Sequence, residues 1–503
     1  MTNTFRPVFF GALLLVVLAD FLFFGRMIGV SLLIFCAAVT AAMLILHPAA
    51  ARSRTIVFQL CLLATTLLPL AENVSPLSFA IAVVALSAFA LSVAGLLRPG
   101  IPRIARQIAA FLVAAPFGFL LDFFRWRREG VRASAARLAA WLLPLGLGAV
   151  FVALFGIANP VVEDWLSRVD VFALLEHVDV ARLGFWLFVL VAVWAFLRPR
   201  LAYLPAPQPP SPWLAATPQA IAPDATRTIG QLVFGKAAIL RALVVFNLLF
   251  AVQSLLDLAY LWGGATLPDD LTYAEYAHRG AYPLIVTALL AAAFVLAAMR
   301  PAGTTSRDPV IRRLVYLFIA QNVLLVISSI LRLDLYVGIY ALTYWRVAAF
   351  VWMGLVATGL VLILVRIALE KSNGWLFGAN LLTLSATLYA CSFVNFAALI
   401  ANYNVDHSYE MTGQGVALDH FYLRSLGPAA FPAIDRLLDR RDLAGTDAWI
   451  MLSATRQSAE DRYRETQRDW RARTLRGWRL TAYLDSRPPQ PPAPVTHPTM
   501  PGY

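Results

Sequence analysis

PLSFAIAVVALSAFALSVAGLL, residues 76–97, runs for 22 residues without one charged side chain. As a helix rising 1.5 Å per residue it would be about 33 Å long, enough to cross the ~30 Å hydrocarbon core of a bilayer. Working outward in both directions, the same pattern recurs eleven times between Val8 and Ile400: at 8–24, 27–46, 55–71, 76–97, 138–158, 183–198, 238–262, 281–299, 314–331, 347–365 and 375–400. The expected fold is therefore all-α, a polytopic transmembrane helical bundle with a small helical domain after its last span.

Composition agrees with lipid as the main solvent. Hydrophobic residues make up 60% of the chain and charged ones 14%, and the mean hydropathy is +0.70, far from the balance of a soluble domain. A net charge of +12 would suggest nucleic acid in a soluble protein. Its distribution argues against that partner. Residues 401–503 carry 13 Arg against 12 acids, so the excess lies in the first 400 residues, with 28 basic and 17 acidic side chains. Cys36, Cys61 and Cys391 all fall inside apolar stretches with no CxxC spacing, so neither disulfides nor zinc are expected. No cofactor motif occurs.

The basic residues orient the chain. With the N-terminus in the cytoplasm, cytoplasmic segments hold 21 Lys plus Arg and the outside loops six, the asymmetry of the positive-inside rule. That places the C-terminus outside a cytoplasmic (inner) membrane. No small-residue cleavage site follows the first apolar run, which is expected to stay as a helix. IAAFLVAAPFGFLLDFF, residues 108–124, is long enough to span but has basic clusters on both sides. An in-plane or re-entrant cytoplasmic helix fits it better.

Proline divides the rest. PRLAYLPAPQPPSPW opens a linker over 199–237 that separates a first membrane half, 1–198, from a second, 238–400. A helical extracytoplasmic domain is expected over 401–485, with two short helices around Gly427 and Pro428 and a longer amphipathic one over 447–476. A proline-rich, disordered tail is expected over 486–503.

Polar residues within hydrocarbon are costly and so attract functional suspicion. Asp20 is one. Asn247, Ser254 and Asp257 share one helical face, and Asn322, Ser329 and Arg332 repeat that spacing. Hydrogen bonding between helices explains both sets without any ligand. The densest cluster is expected outside: Glu275, Tyr276 and Arg279 in LTYAEYAHRGAY, then Arg332, Asp334, Tyr340 and Arg346 in RLDLYVGIYALTYWR, then Asn404 and Asp406. Arginines, carboxylates and tyrosines at a membrane surface suit an anionic lipid head group or a small acid. Carboxylates paired with Arg279 and Arg332 are expected among Glu275, Asp334 and Asp406. An aromatic belt with salt-bridged loop ends is the structural alternative. His278, His407 and His420 match no ligand spacing, so no metal site is expected.

Four segments carry a family resemblance: YAEYAHRG (273–280), NYNVDH (402–407) followed by LDHFYLRSLGPAAFPAI, TYWRVAAF (343–350) and IANPVVEDWL (157–166). Together they resemble a bacterial multi-pass membrane family known as domain of unknown function 4173, close to 4153. The resemblance implies an inner-membrane protein and carries no catalytic residue with it.

Three functions fit these features. The first is a binding, sensing or scaffold protein with an extracytoplasmic polar site, which leans away from an enzyme. A secondary transporter is the second, although no inverted repeat or matched pair of broken helices is visible. The third is a membrane enzyme acting on a lipid-linked or envelope substrate, with Glu275, Asp334 and Asp406 as acid/base candidates and catalytic residues otherwise unknown.

Overall fold

The computed structural model describes residues 2–123, 179–201, 236–259, 308–440 and 442–487, with a few positions between 287 and 295. The spans expected at 138–158 and 281–299, the body of the 199–237 linker, and the tail from 488 onward lie outside the described residues.

The described residues are helical, with one isolated bridge between Ser408 and Val416. In chain order the long helices are α1 (Thr2–Phe23), α2 (Val30–Leu46), α3 (Ile56–Glu72), α4 (Pro76–Val93), α5 (Ile101–Phe123), α6 (Val180–Leu197), α7 (Lys236–Asp257), α8 (Pro309–Tyr340), α9 (Tyr344–Ala368) and α10 (Asn373–Phe393). Eight of them are long and apolar enough to cross a membrane, and α2 and α3, at 17 residues each, fall just short. Their starts are written in the sequence. Ser75 and Ser78 form a capping box at α4, and Asp179, Asp308, Thr343 and Ser372 each accept a hydrogen bond from the first turn they precede. Apolar side chains also cover the outer faces, as with Leu14, Phe58 and Phe188, each 71% exposed. Water would make such faces aggregate; lipid is the solvent they need.

The chain forms two compact units. The first holds residues 1–205 and, from far along the chain, 466–479. Its core runs from Val8 and Ala12 of α1 through Val39 and Met43 of α2, Leu67 of α3 and Phe89 of α4 to Trp194 of α6, which is fully buried. The C-terminal segment docks at the end where α1 finishes. Val30 donates its backbone N–H to the Arg473 carbonyl at 2.8 Å, the Arg471 guanidinium lies 4.4 Å from the Phe21 ring, and Glu72 pairs with Arg476 and Arg479.

Helix α5 does not run alongside its neighbours from end to end. Near its start the Gln107 amide bonds the Leu96 carbonyl and the Arg98 N–H, just past the end of α4. Fifteen residues later Asp122 pairs with Arg198 and Arg200 and accepts the Trp194 indole N–H, at the end of α6. The ends of α4 and α6 lie together, Leu91 clustering with Ala195. A helix that advances about 22 Å between two points at one level crosses those ends.

The second unit holds residues 206–465 and 480–503. In it α7 packs on α8, α8 on α9 and α9 on α10, and further helices follow: α11 (Phe396–Asp406), α12 (His420–Ser425), α13 (Phe431–Leu438), α14 (Asp447–Arg468) and α15 (Leu475–Asp485). α14 and α15 each run across the division between the units.

Three expectations need correction. The stretch 375–400 is two helices, because Asn395 stops α10 and caps α11 by accepting the Ala398 N–H. RLDLYVGIYALTYWR is not a loop: α8 continues to Tyr340, and only Ala341 to Thr343 join it to α9. The helix expected over 447–476 breaks at Asp469, which caps a short 3-10 turn before α15 begins.

Candidate functional site

The most polar interior lies between α7 and α8. Steps of three and four carry Leu243, Asn247, Phe250, Ser254 and Asp257 along α7, and Ile311, Val315, Phe318, Asn322, Leu325, Ser329 and Arg332 along α8. Contacts recur in step along both helices. Lys236 pairs with Asp308 at the start, Asn247 donates to the Leu314 carbonyl at 3.2 Å, Phe318 stacks on Phe246 and meets Phe250 edge to face, and Asp257 pairs with Arg332 at the far end. The helices therefore run parallel, and their apolar seam turns polar toward one end, as in coiled coils whose polar seam positions fix the register.

Asp257 and Arg332 are almost completely buried, 1% and 4% exposed. Gln253 donates to the Asp257 carboxylate at 2.9 Å and holds it toward α8. The Asn247 and Asn322 amides both give their N–H to carbonyls one turn back, on Leu243 and Phe318. Their oxygens, with the Ser254 hydroxyl, are buried and have no hydrogen-bond partner among the described residues. Such oxygens in a low-dielectric seam suit water or a cation.

Several of the residues expected outside meet where α8 turns into α9. Asn404 of α11 clamps the Leu342 backbone from both sides, its Oδ1 accepting the N–H at 2.7 Å and its Nδ2 donating to the carbonyl at 2.9 Å. Arg346 donates to the Tyr340 and Ala341 carbonyls, and its guanidinium lies 4.7 Å from the Tyr336 ring. Between these anchors Ala341 is held at φ 62°, a conformation that costs a residue with a Cβ. Burial, and to a lesser degree the Asp334 carboxylate, push the Tyr403 hydroxyl above the ordinary tyrosine range.

The remaining expected residues lie apart. Asp406 is exposed and pairs with Arg436 at 2.7 Å, while Asn402 accepts a second bond from the same guanidinium. Arg332 has Asp257 as its carboxylate, and Asp406 has gone to Arg436. Glu275, Tyr276 and Arg279 lie outside the described residues. Asp20 sits in the first unit, bound by Arg182 and by the Trp186 indole N–H at 2.8 Å. Among the described residues no group of three or more His, Cys, Asp or Glu is placed to hold a metal ion.

Sequence reasoning missed the charged centre of the C-terminal helices. Asp435 of α13, fully buried, accepts two bonds from Arg456 of α14, at 3.0 and 3.1 Å, and one from the Tyr483 hydroxyl of α15 at 3.0 Å. Arg456 lies 4.0 Å from the Phe431 ring and bonds Glu460, which also accepts from Arg464. Partial burial raises the Glu460 carboxyl, but the two arginines outweigh it and leave the group below the ordinary range. The spacing of Arg456, Glu460 and Arg464 by four was the available signal.

Stacked apolar helices around a buried ion pair, with a polar helical domain after them, define a multi-pass α-helical membrane protein. Within that class the chain belongs to the family described as domain of unknown function DUF4153, whose profile matches residues 9–437. The number 4173 suggested by the short segments is thereby corrected to its near neighbour. No curated protein and no solved structure matches the chain.

Proposed function

We propose that this is a binding or sensing protein of the bacterial inner membrane, with its N-terminus in the cytoplasm and the helices after α10 outside. One observation carries this reading: α8 is continuous from the buried Asp257–Arg332 pair to the junction that Asn404 clamps. Arg332 and Leu342 are ten residues apart, about 15 Å along a helix, and Val337 between them packs in the same core as Ile400, Val405 and Ile434. A rigid helix packed at both ends couples the state of the pair to the packing of α11 and α13.

The ligand class is an anionic head group or a small acid. Arg346 is already engaged with backbone carbonyls and Arg332 with Asp257, so an anion that engages Arg332 has to compete with Asp257. That competition is the sensing step. Arg332→Gln removes one side of it. Hydrogen exchange over residues 396–438 should rise in this variant at normal membrane abundance, whereas exchange equal to wild type would sink the coupling.

A second reading, secondary transport, is favoured by the buried oxygens of Asn247, Ser254 and Asn322 beside a carboxylate. Proton or sodium flux in proteoliposomes that Asp257→Asn abolishes would establish it over the first.

A further inference from the structure

The first unit contains an apolar groove of about 810 Å³ between α2, α4, α5 and α6. No charged side chain lines it. It starts where α1 ends, beside Phe23, Ile28 and Val74, and reaches Phe111 of α5 and Phe196 of α6. Helix α5, lying across the ends of α4 and α6, closes that far end. From Phe185 to Phe196 the groove follows α6 for eleven residues, about 17 Å, close to the ~15 Å that is half of a bilayer's hydrocarbon core. Its rim opens sideways, since Phe79 and Phe188 are 51% and 71% exposed.

Charge collects at the open end. Arg182 stands one turn before Phe185 on the same stripe of α6, and Arg26 lies between Phe23 and Ile28. The docked segment adds Arg468, Arg471, Arg473, Arg476 and Arg479. Against these seven arginines this end of the unit has Asp20, Glu72, Asp179 and Asp469, an excess of three positive charges. Trp470 and Trp478 are exposed in the same segment, 41% and 68%, as side chains of the membrane–water boundary are.

We infer that this groove is a binding site for one anionic phospholipid of the leaflet at the α1 C-terminal end. One acyl chain lies in the groove against α5, and the phosphate meets the arginines at its mouth. An acyl chain satisfies the depth, the side opening and the uncharged, almost entirely apolar lining together. The net positive charge selects an anionic head group over a zwitterionic one.

The test uses the full chain, purified in detergent, stripped of lipid and offered phosphatidylglycerol or phosphatidylcholine, with bound lipid counted by native mass spectrometry. Wild type should retain one phosphatidylglycerol in preference to phosphatidylcholine. Ala192→Trp places bulk in the groove at an exposed position and should lower occupancy by both lipids; Leu112→Trp does so from α5. Arg26→Gln and Arg473→Gln should instead reduce only the phosphatidylglycerol preference, by about fivefold for each arginine. Equal binding of the two lipids by wild type would overturn the head-group assignment. Undiminished occupancy in both tryptophan variants, with elution profiles like wild type, would overturn the site.

Discussion

At the scale of single residues, the Asp257–Arg332 pair is held in place more by the cost of breaking it than by its net attraction. Removing one partner leaves the other charge buried, which costs about 3–5 kcal/mol in typical buried pairs. Asp257→Ala should therefore lower the thermal midpoint sharply, while Asp257→Leu combined with Arg332→Leu should recover most of the loss. Additive effects in fluorescence-detected melting would show that the two side chains act separately. Glu460 supports a prediction of a different kind. Its carboxyl lies below the ordinary range when folded, so its contribution is fully present above the unfolded value of about 4.3 and is lost as pH falls through the lower folded value. Acid should loosen α13–α15 in that window, read by exchange in residues 447–465, and Glu460→Gln should flatten this part of the pH response. Arg332 also shows how far single residues were legible. Leu331 closes an apolar stretch, so Arg332 reads as a loop residue, yet its steps of three back to Ser329 and seven more to Asn322 already placed it on one helical face; that this face meets Asp257 was not legible, because spacing along one helix does not name the helix it packs on.

At the scale of elements, hydropathy located the helices well and their ends poorly, because lipid-facing sequence gives little punctuation. FVNFAALIA stays apolar across the α10–α11 break, and the only signal there is Asn395, a cap residue inside a run that looks like one span. Helix α5 combines both kinds of signal: it is long and apolar enough to cross a membrane, arginines flank it on both sides, and Gln107 and Asp122 tie its two ends to the ends of α4 and α6. The docking of residues 466–479 onto the first unit had no local signal, since it depends on a glycine far away. A Cβ on Gly29 would sit 2.3 Å from the Ala472 carbonyl carbon, and backbone cannot move aside as a flexible side chain can. Gly29→Ala should detach this segment, raising protease cleavage and exchange between 466 and 479. Gly184→Ala, in open space within α6, should instead be neutral or stabilise by up to about 1 kcal/mol. Equal behaviour of the two variants would mean that the segment does not depend on the close approach at Gly29.

At the scale of the molecule, the orientation first argued from 21 against six basic residues can be tested without trusting a count of spans. α1 has 22 residues, about 33 Å, and is one of the eight helices long and apolar enough to cross a membrane. Its C-terminal end is where Val30 bonds Arg473 and Arg471 covers Phe21. If α1 crosses, the N-terminus and residues 466–479 are separated by the length of that one helix, however many times the intervening chain crosses. In a background with Cys36, Cys61 and Cys391 replaced, Trp478→Cys should react with a membrane-impermeant maleimide from outside intact spheroplasts, because that side chain is 68% exposed. A cysteine placed at Thr2 should react only after lysis. Labelling of both positions from the same side would mean that α1 does not cross the membrane or that the C-terminal segment leaves its dock there. Labelling at Thr2 alone in intact spheroplasts would keep the α1 geometry and reverse the orientation, moving the arginine-rich mouth of the lipid groove to the cytoplasmic leaflet.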